Sequence, residues 1–208
     1  MSQGLSAELV AEEQAIQRVG RMWAYSRDAG EWETLEACFH PEARVDLSWY
    51  SGSASEFIEC SRLMAGKRRP EERHKHLLGN MRTVIRGRRA VHETDVQILI
   101  REFIDGILFD YTGYARFYDL YEKRDREWRI ASKSCIYERD RLDPVIPGSV
   151  GKSFYDAVPM SGHASGFAYM RFRLQKKGAA MPGRIVLGGS EDERQLRAEG
   201  ERWLATGL

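Results

Sequence analysis

Read for apolar positions alone, the chain divides into a helical opening, a long alternating middle and an irregular close. From Ala7 to about Asp28, Leu9, Ile16, Val19 and Trp23 recur at intervals near three, four and seven, the spacing that lines one face of a helix. After Gly30, Trp32, Leu35 and Phe39 repeat that spacing as far as His40 and Pro41. Proline lacks an N–H and clashes with the preceding turn, so a second, short helix is predicted to end there. Val45, Leu47 and Trp49 or Tyr50 then alternate with polar residues from Ala43 to Tyr50, as in a half-buried strand. Ser53 and Glu56 stand at capping-box spacing ahead of Phe57, Cys60 and Met64, which predicts a third helix closed by Gly66 and Pro70.

From His74 to Glu138 the period falls to two. Four runs read as strands in series, "HLLGNMRTVI", "AVHETDVQILIREF", "ILFDYTGYARFYDLYE" and "EWRIASKSCIYE", with turn-like breaks at Arg86 to Arg89, Asp105-Gly106 and Lys123 to Arg126. Connections this short favour antiparallel neighbours, because a parallel pair needs a crossover of about a dozen residues or more. Three helices ahead of a long curved antiparallel sheet make an α+β plan. Beyond Asp143 come the aromatic patches "SFYDAV" and "GFAYMRFRL". A last helix follows, with a capping box at Ser190 and Glu193 and a sparse stripe of Leu196 and Trp203. The expected division is a domain over 1–142 and an extension over 143–208 that packs on it or on a neighbouring subunit.

Composition narrows the class. The 208 residues suit one core, and 42% hydrophobic with 30% charged residues is a globular balance. A net charge of +1 gives no bulk field toward phosphate or anionic lipid, so nucleic acid is not an expected partner. Cys38, Cys60 and Cys135 are odd in number and lack a CxxC pair, which indicates reduced thiols rather than a disulfide framework or zinc knuckle. The start "MSQGLSAELVAEEQ" has no basic-then-apolar pattern, and no run approaches the ~18 apolar residues of a membrane span. No membrane association and a cytoplasmic location are the expectations.

Candidate chemistry centres on "RHKHLLGN". On a strand, His74, His76 and Asn80 share one face if the strand begins by His74. Such groups serve as satisfied core or surface residues, as metal ligands, or as the edge of a pocket. A His-x-His pair can offer two imidazoles to a metal, but it then wants a carboxylate or third histidine, and no glutamate follows at a suitable spacing.

The stretch "WAYSRDAGEWETLEACFHPEARVDLS", Trp23 to Ser48, shifts the balance. An aspartate ending a long helix, Gly-acid-Trp opening a short one and Phe-His-Pro before a strand resemble the opening of the SnoaL-like branch of the nuclear transport factor 2-like superfamily. "HLLGN" is similar to that branch's His-x-x-x-Asn strand start, and "FYDLYEKRDREWRIASK" to its last hairpin. These signatures span about Leu9 to Asp143 in the family's order. The resemblance implies an α+β fold: a cone-shaped, curved, mostly antiparallel sheet wrapped around N-terminal helices, here with a C-terminal helical extension. By motif position it also implies a catalytic pair, Asp28 and His76.

The chemistry of such a pair stands by itself. An imidazole with an ordinary pKa near 6.5 moves protons at neutral pH, and a carboxylate on its second nitrogen fixes the tautomer. The expected function is that of a cofactor-free lyase or isomerase of dehydratase type, acting on a hydroxylated, cyclic, apolar small molecule. No cofactor and no metal are expected, provided polar donors hold the charge that develops on the substrate. Tyr25 and Tyr118 are candidate donors, and Asn80 a candidate to orient His76. Trp49 belongs to an aromatic set suited to lining a pocket. Lys133 stands where relatives often carry arginine, and an ammonium cannot make a bidentate clamp. Glu31 reads as a helix-start charge, and Asp46 and Asp119 could face pocket or water. The alternative function is a non-catalytic binding or oligomerisation subunit resembling the small subunit of ring-hydroxylating dioxygenases. A homo-oligomer, with a dimer favoured, is expected because an uncovered sheet face seeks a partner.

Overall fold

Ser6 starts the first helix and Gly30 stops it. The Ser6 hydroxyl accepts the Leu9 N–H at 3.1 Å, satisfying one of the N–H groups that a helix start leaves free, and α1 runs Ala7–Ala29. Gly30 takes φ 76°, a left-handed conformation that costs other residues about 1–2 kcal/mol, and its N–H returns to the Ser26 carbonyl. The computed structural model describes residues 6–156, 158, 160, 166–181 and 184–207, so the first five residues of the N-terminal stretch and Ala157 of "SFYDAV" lie outside it. On α1, Ile16 and Trp23 are buried whereas Leu9 is exposed, so the buried stripe begins two turns later than its spacing predicts.

The second helix, α2 (Trp32–Ala37), ends before His40 and Pro41 as expected, yet both residues then belong to β1 (Phe39–Leu47). Proline fits there because the ladder from β1 to the last long strand shifts register between Phe39 and Arg44, and a bulge needs no N–H from every residue. A short β2 (Tyr50–Ser53) leads into α3 (Ala54–Gly66), where the Ser53 hydroxyl accepts the Glu56 N–H at 3.3 Å. Four long strands follow: β3 (Arg73–Arg86), β4 (Arg89–Ile104), β5 (Ile107–Arg124) and β6 (Glu127–Pro144). Asp105-Gly106 and Asp125-Arg126 join three of them through two-residue turns with positive φ at both positions, the geometry that matches the twist of paired strands.

The strands lie in the order β2-β1-β6-β5-β4-β3, a curved open sheet. The pairs within this order are antiparallel except β1 with β6, and the two-residue β7 (Val186–Leu187) lies parallel against β6. The concave face wraps α1. Trp23 sits at its centre, stacked on Phe57 at 6.3 Å and edge-on to Phe117 at 5.1 Å. The convex face is covered from within the chain by α5 (Glu191–Ala205), whose Leu196 and Leu204 pack with Val91, Tyr118, Ile136 and Val186. Between the two, α4 (Ala168–Lys176) contacts β5 and β6 and brings Met170 and Leu174 to the concave side. Among the described residues, no helix is long and apolar enough to cross a membrane.

Gly200 explains how α5 seats. A glycine inside a helix costs about 1 kcal/mol against alanine, but a Cβ here would lie 2.9 Å from Tyr118 Cζ, so only glycine lets the ring and the helix meet. Gly200→Val is therefore expected to lower stability by about 1–3 kcal/mol through overpacking. Urea unfolding, with limited proteolysis following release of α5, measures this; an unchanged midpoint would contradict the packing described.

Candidate active site

The last turn of α1 meets β3 at one residue. Asp28 Oδ2 accepts the backbone N–H of His76 at 2.8 Å, and Oδ1 accepts its ring Nδ1–H at 2.7 Å. The backbone bond exists because β3 is the sheet edge, where N–H groups on the side away from β4 have no strand partner. An ionised carboxylate can only accept, so Nδ1 carries the proton and the Nε2 lone pair is left for the adjoining cavity, whose wall includes His76. Trp23 and Phe117 flank the imidazole, with ring centroids at 5.5 and 6.0 Å. Burial pushes its pKa down and Asp28 pulls it back up, while Arg27 and Lys133 push down again. The net position is below the ordinary value, so the ring is neutral at pH 7.

The cavity has a volume of about 630 Å³, within the range of small-molecule sites. Its apolar wall includes Trp49, Ile98, Ile100, Phe117, Met170 and Leu174. Its polar groups are few and specific. The Tyr137 hydroxyl accepts the Ser48 backbone N–H at 2.8 Å, so its own O–H is left to donate to a ligand or to the nearby Cys135 sulfur. Arg173 from α4 makes a two-point bond to the buried Glu102 carboxylate, at 2.5 and 2.9 Å, and Lys177 joins the same carboxylate. Burial raises the Glu102 pKa, but the two cations more than offset it and keep the group ionised. His74 shares the inward face of β3 with His76; its Nδ1 accepts from Arg68 Nη2 at 3.2 Å. Burial, then the charge of Arg68, pushes the His74 pKa down to about 2, so this ring acts as a neutral holder of Arg68. Arg27, beside Asp28 in sequence, is 5% exposed and also borders the cavity. Burial, then Arg68, lowers its pKa to about 10, which leaves it cationic at pH 7.

His76 and Trp49 thus line this hollow with Asp28 behind the imidazole, and the other expected residues do not. Tyr25 is 63% exposed: it lies two positions, or about 200°, round the helix from the inward-facing Trp23. Tyr118 is buried under α5 on the convex face, because alternation along β5 turns Phe117 inward and its neighbour outward. Asn80 leaves the histidine face at a bulge, where the β3–β4 register shifts between Leu78 and Met81, and it donates to Asp95 at 3.3 Å. Lys133 is inward but off the cavity wall. Its ammonium bonds Asp119 at 2.9 Å and lies 3.9 and 3.7 Å from the ring centroids of Trp23 and Phe117. Asp119 is spent on that pair, Asp46 accepts from the Ser51 hydroxyl beside β2, and Glu31 occupies the N-cap position of α2. Sequence reasoning missed Arg27, Arg68, Tyr137 and the Glu102–Arg173 pair. The one signal for Arg27 was its place next to Asp28. Among the described residues, no group of three or more His, Cys, Asp or Glu is arranged to hold a metal ion.

Comparison with known proteins agrees with this architecture. The family described as "SnoaL-like domain" matches residues 8–134. A PEP2-like protein of Fusarium vanettenii is 29% identical over 167 residues, covering 79% of this chain and 70% of that one. Two solved structures share the fold. One is a protein assigned as a scytalone dehydratase from Novosphingobium aromaticivorans, with TM-score 0.55, 16% identity, and 69% of this chain and 97% of that one covered. The other is a hexachlorocyclohexane dehydrochlorinase, LinA-type3, from Novosphingobium barchaimii, with TM-score 0.50, 18% identity, and 67% and 92% covered.

Because the Asp28 carboxylate raises the His76 pKa against burial, Asp28→Asn is expected to lower that pKa further. Titration of the imidazole by NMR in protein without ligand checks it; a rise toward 6.5 would mean that the carboxylate does not act on this ring as described.

Proposed function

We propose, from the premise that the chain belongs to the SnoaL-like domain family, that it is a cofactor-free lyase of dehydratase type whose base is His76, oriented by Asp28. The observation that carries this reading is the 2.7 Å bond between Asp28 Oδ1 and His76 Nδ1 at the wall of an open, mostly apolar hollow. A hollow filled by side chains would instead have favoured a non-catalytic subunit.

In the proposed reaction a hydroxylated ring lies against Trp49 and Phe117. His76 Nε2 takes a proton from the carbon next to a carbonyl, and the Asp28 carboxylate stabilises the imidazolium that forms. The electron pair from the broken C–H bond moves toward the carbonyl oxygen, where the Tyr137 O–H can donate to the growing charge. As the carbon–carbon double bond forms, the C–O bond to the hydroxyl breaks, and the imidazolium returns its proton so that water leaves. One proton is taken and one given back, so the base is regenerated without a second reactant. By their names the two enzymes sharing the fold also carry out eliminations; the proposal here rests on the site's own geometry.

The test is turnover of alicyclic β-hydroxy ketones, followed by the ultraviolet absorbance of the enone product. His76→Gln is expected to lose about 10²- to 10⁴-fold in kcat/KM, the contribution of one positioned base. Wild-type kcat/KM should rise with pH along an acidic limb centred below the ordinary imidazole value, since protonation disables the base and burial delays it to lower pH. Full activity in His76→Gln would remove the assignment.

A further inference from the structure

Arg27 is a cation in an environment that gives it little in return. Its side chain leaves the last turn of α1 and runs beneath aromatic rings, with the guanidinium carbon 5.9 Å from the Trp49 centroid and 5.8 Å from that of Phe57. The residue is 5% exposed, and Nη1 is buried with no hydrogen-bond partner among the described residues. Removing a charged group from water costs several kcal/mol unless bonds replace the lost solvent, so a buried guanidinium with an idle N–H needs an explanation.

Arg68 repeats the pattern from the other side. It follows α3 and borders the same cavity; its Nη2 donates to His74, while its buried Nε has no partner. The nearby carboxylates are occupied. Asp28 accepts both of its bonds from His76. Glu72 accepts the backbone N–H groups of Arg69 at 2.9 Å and Phe103 at 3.2 Å. Glu102 is held by Arg173 and Lys177. Two guanidiniums therefore border one apolar hollow. The idle Nη1 and Nε are themselves shielded, but Arg27 has no side-chain hydrogen bond or ion pair among the described residues, and for the guanidinium N–H groups that remain open a planar, two-oxygen anion is the acceptor of matching geometry.

We propose that Arg27 and Arg68 form a carboxylate-binding subsite, so that the cavity takes a cyclic, otherwise apolar molecule bearing a carboxylate. This rests on reading the hollow as a substrate site and narrows the substrate class to ring acids. Arg27 lies on the same helical turn as Asp28 and Arg68 follows α3, so an anion held between them fixes the ring relative to the base. Arg27 and Arg68 are binding and positioning residues here, and His76 alone moves the proton.

The test uses calorimetric titration with two matched pairs: benzoate against benzamide, and cyclohexanecarboxylate against cyclohexanecarboxamide. Each pair differs in charge and hardly in shape. Wild-type protein is expected to favour the acid by at least about tenfold, as a charge-assisted hydrogen bond supplies. Arg27→Met keeps the apolar stem beneath Trp49 and Phe57; it should bring the acid-to-amide ratio close to one and raise the midpoint of thermal unfolding, since it removes an uncompensated buried charge. Arg68→Gln, at a less buried position, should reduce the ratio independently of any folding effect at Arg27. His76→Gln should keep the ratio while losing turnover, which separates failure of this subsite from failure of the proton-abstraction reading. Equal affinity for acid and amide in the wild type, no binding of either acid at millimolar concentration, or an unchanged ratio in Arg27→Met or Arg68→Gln overturns the proposal.

Discussion

A single carboxylate joins the two halves of this fold. Asp28 takes one hydrogen bond from the backbone of the edge strand and one from a side chain on it, so the end of α1 and the start of β3 are fixed both in position and in rotation. Much else follows from that joint. The helix must stop immediately beyond it, which Gly30 achieves by turning left-handed. The strand edge must lack a further neighbour, which the order of the sheet ensures. The imidazole must be buried to keep its ring in place, and burial holds it neutral. The two bonds thus set the local fold geometry, and burial working against them sets the proton affinity.

The interior handles charge in two ways. Lys133 with Asp119, and Arg173 with Glu102, are opposite charges brought together where water is excluded; the cations more than offset burial at Glu102, whereas at Asp119 burial outweighs Lys133 and holds the carboxyl pKa above its ordinary value. The Lys133 ammonium also rests against the faces of Trp23 and Phe117, rings that carry partial negative charge there. Arg27 has the aromatic faces without the carboxylate. Within one concave surface, charge that braces the scaffold is neutralised by the scaffold, and the exception lies where a bound molecule would sit.

Period and turn chemistry made most of the architecture legible in the sequence. Alternation from His74 to Glu138 predicts the long strands, and the Asp105-Gly106 and Lys123 to Arg126 breaks fall at observed hairpins. Resemblance in short motifs pointed to Asp28 and His76 as neighbours, although 48 positions separate them. What stayed hidden depends on phase. Whether Phe117 or Tyr118 faces inward is a one-residue question that only the curvature and pairing of β5 decide. The bulge near Gly79 resets the phase of β3, so Asn80 parts from the histidines. Arg27 was invisible for another reason: an arginine in the last turn of a helix is ordinarily explained by the helix dipole and by solvent, and nothing local shows that α3 and the segment after β1 roof it over.

The bidentate clasp between Glu102 and Arg173 spans 71 positions, while hairpins and the α1–β3 joint close over shorter stretches. Loop-closure entropy grows with length, so the β3–β6 hairpins and the α1–β3 joint cost less to close than this clasp, whereas the pairing of β1 with β6 spans still more of the chain. Until α4 arrives, Glu102 is a bare carboxylate facing the apolar interior, and its repulsion from that setting rewards the late arrival of a guanidinium. The wall that α4 adds to the compartment thus comes from the portion of the polypeptide synthesised after Asp28 and His76.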